Sequence, residues 1–254
     1  MHCANRRGMT MKQHEAVITV MEQNGGYATL GYLNQYVLKV PDVEWKTKTP
    51  FASIRRIVQD DRFFFKIKPG LWALLSYKNQ LPPEISPTNA VSKQERELFD
   101  HSYYQGLLVE LGNLKQCETF VPGQDKNKRF LGKKLGDICS QSDFHQFGYD
   151  EMVRKARTVD VTWFNVRKMP SNFFEVEHST DIQNSLLKFV ELQDYHSRFF
   201  IVADKVRRAE YDRKLALSAF MPIKDRVDFL DYDKLSDLHA KTFELVHARG
   251  DLTL

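Results

Sequence analysis

The chain has 254 residues, 42% of them hydrophobic and 28% charged, with 37 Lys and Arg against 33 Asp and Glu for a net charge of +4. That balance excludes a disordered or fibrous chain, and the length suits one large domain or two modest ones. No run of 18 apolar residues occurs, and the first ten residues lack the apolar stretch of a secretory leader. Cys3, Cys117 and Cys139 stand too far apart for a disulfide framework or a zinc half-site, so a reducing cytoplasm is the expected compartment.

Charge is uneven along the chain: residues 1–80 carry 12 basic against 6 acidic side chains, and the remainder 25 against 27. Such asymmetry points the first third at a polyanion. Residues 79–91 hold three prolines and almost no apolar periodicity, which reads as an extended linker between domains at 1–78 and 92–254.

Residues 11–23 put Val17, Val20 and Met21 on one helical face, and Gly25-Gly26 stops that helix. Thr29 is placed to cap a second helix that buries Leu30, Leu33 and Val37. A third begins at Thr49-Pro50, an N-cap followed by a proline whose missing N–H costs nothing in the first turn. Phe51, Ile54, Ile57 and Val58 face inward from it. Two apolar runs around Lys68-Pro69-Gly70 predict a β-hairpin. Helix-helix-helix-hairpin is the order of a winged helix-turn-helix, whose third helix reads the major groove. On that reading Ser53, Arg55, Arg56 and Gln59 face bases, and Lys46 and Lys48 meet phosphates ahead of the helix. Lys66 and Lys68 point outward from the wing. A protein-binding module on the same scaffold is the alternative. The strings Thr49-Pro-Phe-Ala-Ser-Ile-Arg-Arg-Ile57 and Ile67-Lys-Pro-Gly-Leu-Trp-Ala-Leu74 resemble the small winged-helix domains attached to bacterial restriction enzymes.

The second part mixes element types. Residues 92–112 predict a long helix fixed by a Ser92–Glu95 capping box. Strands are expected at 118–122, 159–165, 173–177, 199–203 and 226–232. Helices are expected at 181–193, capped by Ser179 or Thr180, and at 205–214 and 235–248. Residues 123–149 read mostly as loop, with a basic run at 126–134 suited equally to a DNA backbone or to solvent. Strands alternating with helices imply a mixed β-sheet flanked by helices, so the whole chain is expected to be α+β or α/β.

Acidic residues are depleted in strands, yet Asp160, Glu175 and Glu177 interrupt apolar ones. Glu175 and Glu177 share a strand face ~7 Å apart, and an antiparallel neighbour brings Asp160 close. Clustered carboxylates repel, and a divalent cation removes that conflict. Mg²⁺ takes oxygen ligands and works with phosphates, and Mn²⁺ is the expected substitute. No metalloprotease, nucleoside-triphosphatase or esterase motif occurs. An outer sheet face with solvated acids is the bland alternative.

Asp160, fourteen intervening residues and Glu175-Val-Glu177 resemble the PD-(D/E)XK nuclease superfamily in its E-x-E variant, as does the string Phe174-Glu-Val-Glu-His-Ser-Thr-Asp-Ile182. The resemblance implies a restriction-endonuclease-like domain in which Asp160 and Glu175 ligate metal and Val176 offers its carbonyl. It places Glu177 where a lysine is usual, as a general base or a ligand to a second ion. Glu110 on the long helix is a candidate helix-borne ligand, His178 is expected on the opposite sheet face, and Lys188 is left between phosphate contact and surface. The reading is a Mg²⁺-dependent endonuclease of double-stranded DNA, a type II restriction enzyme whose dependence on base modification stays open. It works away from membranes and cuts both strands as a homodimer or by two nicks. The rivals are a non-catalytic DNA-binding regulator retaining a nuclease fold and a winged-helix interaction adaptor.

Overall fold

The computed structural model describes residues 11–86 and 92–250. They fall into two compact units: the described residues up to Pro82 with those from Ala240 onward, and Pro83–His239.

The first unit runs α1 (Gln13–Gln23), β1 (Tyr27–Thr29), α2 (Leu30–Tyr36), α3 (Pro50–Ile57), β2 (Phe64–Lys68) and β3 (Leu71–Leu74). α1 ends where Gly25 and Gly26 take φ of 78° and 89°; a Cβ on Gly26 would lie 2.3 Å from the Tyr77 ring. Thr29 caps α2, its hydroxyl accepting from the Tyr32 amide at 3.1 Å. Thr49 holds the N-cap position of α3, but its hydroxyl meets Thr47 and leaves the helix amides alone. The expected hairpin forms, with Gly70 at φ 77° in its turn. β1 pairs antiparallel with β3, giving the order β1-β3-β2. Its three residues are too few for period-two alternation to show in sequence. Val17, Val20, Met21, Leu33, Ile54, Val58 and Phe64 join in one core. Of the expected linker, 79–86 hold no helix or strand, and 87–91 lie outside the described residues.

The second unit follows with α4 (Lys93–Leu114), β4 (Glu118–Phe120), a hairpin of β5 (Arg129–Phe130) and β6 (Lys133–Lys134), α5 (Leu135–Ile138) and α6 (Asp150–Ala156). Then come β7 (Val161–Phe164), β8 (Pro170–Glu177), α7 (Ile182–Val190), β9 (Arg198–Ala203), α8 (Arg208–Leu215), β10 (Val227–Asp231) and α9 (Tyr232–Gly250). The sheet order is β10-β9-β8-β7-β4, parallel across β10, β9 and β8 and antiparallel across β8, β7 and β4. α4 starts at the expected capping box: the Glu95 amide donates to Ser92 Oγ at 3.2 Å, and the Ser92 amide to Glu95 Oε2 at 3.0 Å. α7 corrects the expected cap, because Asp181 takes it, accepting from the Gln183 amide at 2.9 Å. Ser179 and Thr180 donate to the carboxylates of Glu97 and Glu177. α6 escaped the sequence reading because only Val153 and Ala156 of its seven residues are buried.

Period two along β8 sorts the two faces. Phe173 joins Ile182, Leu186 and Phe189 of α7 and Phe199 of β9 in the larger core. Phe174 turns the other way, onto Trp163 at 4.5 Å, and the Trp163 indole donates to the Leu108 carbonyl of α4 at 3.1 Å. Glu175 and Glu177 share the Phe173 side and so meet the face of α7. α4 lies close enough to the sheet that a Cβ on Gly112 would sit 2.5 Å from Thr119 and 2.6 Å from Trp163 Nε1.

Candidate active site

β7 pairs with β8 as far as Val161 opposite Phe174, and the chain turns away at Asp160. The Val176 amide, next in the ladder on that edge, would be left without an acceptor. Asp160 supplies one: its Oδ2 accepts from Val176 N at 2.8 Å. A strand residue points its N–H and C=O to the same neighbour, so the Val176 carbonyl lies on the same edge. One break in pairing thus brings Asp160 and the Val176 peptide together at the strand end.

Glu175 and Glu177 are 3% and 5% exposed. Lys188, one turn from Ser185 on α7, donates to both Glu175 oxygens at 2.9 and 2.8 Å. Ser185 Oγ stands 3.0 Å from Glu175 Oε2 and also contacts Glu177 Oε1, so its one proton serves one acid at a time. Thr180 donates to the other oxygen of Glu177. Burial, then the charge of Asp160, pushes the Glu175 carboxyl up to about 8, with Lys188 and Ser185 opposing. Burial works against the Lys188 charge, but Glu175 outweighs it and holds the ammonium above the ordinary lysine value.

These side chains line an open cleft of about 430 Å³, together with Glu97 and His101 from α4, Lys128 and His178. His101 Nε2 is 3.6 Å from Asp160 Oδ2. The carboxyl groups of Asp160 and buried Glu175 and a strand-end carbonyl are hard oxygen donors of the kind Mg²⁺ takes, and when both acids are ionised the single ammonium of Lys188 leaves negative charge in excess, so the residues fit a divalent ion.

A model of the C-terminal domain of the type II restriction enzyme NmeDI matches residues 80–249, more than half of the chain. The chain belongs to that family. The type II restriction enzyme NmeDI of Neisseria meningitidis serogroup C is 23% identical over 150 residues, which are 55% of this chain and 42% of that protein. The chain therefore aligns with less than half the length of this curated relative. No solved structure matches it significantly.

Every cleft residue lies inside the span of the NmeDI C-terminal family. Asp160, Glu175, Val176 and Glu177 are brought together; Glu110 is not. Glu110 Oε2 pairs with His239 Nε2 at 2.8 Å, thirteen residues and about 20 Å along α4 from Glu97, the acid that this helix does bring to the cleft. His178 keeps the alternation and lies on the α4 side of the sheet, near the rings of His101 and Tyr104, with Nδ1 2.8 Å from the Tyr232 hydroxyl, and it also lines the cleft. Ser185, Thr180, His101 and Glu97 went unnoticed in sequence. The Ser185–Lys188 helical spacing was the one signal available.

The basic face of the first unit lies mostly outside the NmeDI match. On α3, Ala52, Arg56 and Gln59 are exposed along one stripe, while Ser53 is half-buried. Arg55 is turned aside: its Nη2 lies 3.8 Å from Glu244 of α9, and Phe51 on the same stripe meets His247 edge-on at 5.5 Å. Arg55 is thus partly engaged by the C-terminal helix, whose return to this unit no local pattern announces. Lys46, Lys48 and Lys66 are exposed, and Lys68 is half-buried. Among the described residues no helix is long and apolar enough to cross a membrane.

Proposed function

We propose that the chain is a metal-dependent endonuclease of double-stranded DNA, of the type II restriction kind and the E-x-E branch of the PD-(D/E)XK superfamily. The observation that carries this reading is the meeting of Asp160, Glu175 and Glu177 with Lys188 in one cleft at the end of β8. Asp160, Glu175 and the Val176 carbonyl would hold Mg²⁺ or Mn²⁺. When bound, such an ion lowers the pKa of a water and neutralises charge on the phosphoryl and leaving oxygens. Lys188 opposes the rise in the Glu175 pKa and adds positive charge where the phosphate's negative charge grows. Glu177, held by Ser185 and Thr180, accepts the proton of the attacking water. Lys188 thereby takes up on α7 the cationic role that Glu177 leaves open on the strand.

The first unit, read as a winged helix, would grip duplex DNA through Arg56 and Gln59 in the major groove and Lys46, Lys48, Lys66 and Lys68 on phosphates. A DNA substrate implies work in the cytoplasm. One cleft cuts one strand, so double-strand cleavage needs two chains or two nicks. Supercoiled plasmid with Mg²⁺ tests the reading. The native chain should nick and linearise it, while Glu175→Gln and Asp160→Asn should do neither and still bind DNA. Retained DNA binding without cutting by the native chain, in Mg²⁺ and in Mn²⁺ and on modified and unmodified DNA, would replace this reading by that of a non-catalytic regulator.

A further inference from the structure

We propose that His101, Asp125 and Asp160 form a second cation site that takes a transition-metal ion such as Mn²⁺ or Co²⁺ in preference to Mg²⁺. The inference rests on the nuclease reading only in sharing Asp160. One ligand atom from each residue lies within 4.8 Å of the others. Ligands around one ion stand about 3–4 Å apart, so the widest separation needs to contract by about 1–2 Å.

Three separate elements converge there: α4 with His101, the loop ahead of β5 with Asp125, and the lead-in to β7 with Asp160. Asp125 is a carboxylate only 2% exposed. Gln105, fully buried, fixes it: the amide Nε2 donates to Asp125 Oδ2 at 2.7 Å and to the Asp160 carbonyl at 3.1 Å. Metal-ligating side chains are commonly held this way by an outer hydrogen bond. The Oε1 of the same amide has no hydrogen-bond partner. Two heteroatoms of one amide are about 2.3 Å apart, so Oε1 stays within about 5 Å of Asp125 Oδ2. An unmet buried oxygen is costly, and a cation or its bound water beside it removes the cost. Lys128 Nζ sits 2.6 Å from Asp125 Oδ1 on a flexible stem that reaches the open cleft. It is the competitor a cation has to displace.

The donor set decides the ion. An imidazole with two carboxylates suits Mn²⁺, Co²⁺ or Zn²⁺, whereas Mg²⁺ prefers oxygen alone. The site differs from that of Asp160 and Glu175 in carrying nitrogen, and nitrogen has its own signature. The test is Mn²⁺ titration of the full chain followed by electron paramagnetic resonance. Two Mn²⁺ per chain are expected, one of them showing pulsed-resonance coupling to ¹⁴N that changes to ¹⁵N coupling in protein made with ¹⁵N-histidine. His101→Gln and Asp125→Asn should each lose the nitrogen-coupled ion, Glu175→Gln should keep it, and Lys128→Met should tighten it at least tenfold. Absence of nitrogen coupling in the native chain, or its persistence in His101→Gln, overturns the proposal. Plasmid cutting without a nitrogen-coupled ion sinks this site and leaves the endonuclease standing; a nitrogen-coupled ion in a chain that cuts nothing does the reverse.

Discussion

Glu175→Gln is expected to abolish cutting while making the metal-free protein more stable at alkaline pH. The Glu175 carboxyl is 3% exposed and sits at about 8 in the fold against 4.5 in the unfolded chain, first through burial and then through Asp160. Its folded pKa is raised, so the native state holds the extra proton between those values. Stability is full below pH 4.5 and declines as pH climbs through 8. The interval corresponds to a linkage on the order of 5 kcal/mol. Relaxation around Lys188, which is 38% exposed, takes up part of it, so about 2 kcal/mol is a reasonable expectation at pH 9. For a chain of this size that is about 5 °C in Tm. Glutamine keeps the shape and removes the ionisation, so the Tm advantage of the variant should be near zero at pH 5 and grow steadily to pH 9. Mg²⁺ should erase the gap by stabilising the native chain only. Differential scanning calorimetry at five pH values, with and without metal, reads this directly. A Glu175→Gln protein that loses as much stability at pH 9 as at pH 5 would show that Glu175 is an ordinary structural ion-pair partner, and the reasoning fails.

Asp160→Asn keeps an oxygen for the Val176 amide, so its stability should stay within about 1 kcal/mol of native while plasmid cutting falls at least a hundredfold. Arg56→Ala should weaken duplex binding by about 1–3 kcal/mol in a fluorescence titration. Arg55→Ala, engaged with partly exposed Glu244, should cost under about 1 kcal/mol of stability and leave base preference alone. Replacing Lys66 should flatten the slope of log affinity against log salt by about one. Gly112→Ala drives a methyl into Thr119 and Trp163 at 2.5–2.6 Å and should destabilise by about 1–3 kcal/mol in urea unfolding.

Asp160, Glu175 and Glu177 were legible because charge inside an apolar strand is conspicuous and period two fixes which residues share a face. The α4 capping box and the hairpin at Gly70 were legible for the same kind of reason: the determining groups lie within four residues of one another. What escaped depended on distant segments. Helical periodicity located α4 but not the turn that faces the end of β8, so Glu110 stood as a candidate beside the reading of a solvated helix acid, and Glu97 was overlooked. Lys188 could not be assigned until α7 was laid against β8, and the Arg55–Glu244 contact could not be read until α9 returned to the first unit.

The position of the cation carries the last argument. Asp160, Glu175 and Glu177, when ionised, bring three negative charges to the cleft, and Lys188 returns one positive charge. That local surplus of two matches the one divalent ion held by Asp160 and Glu175, the second proposed ion having Asp125 and His101 as its further ligands. A Glu177→Lys exchange puts a lysine on the strand, but with Lys188 still present it cancels that surplus. Across the ~7 Å same-face spacing of a strand, a change of two charges against a divalent ion is about 2 kcal/mol even at the dielectric of water, or roughly thirtyfold in affinity. Glu177→Lys alone should therefore bind Mn²⁺ tens of times more weakly in calorimetric titration. Pairing it with Lys188→Glu restores the charge and should recover most of the affinity. If the single exchange binds as tightly as the native chain, Glu177 does not contribute to the field around the ion, and the strand lysine has not been traded for one on the helix.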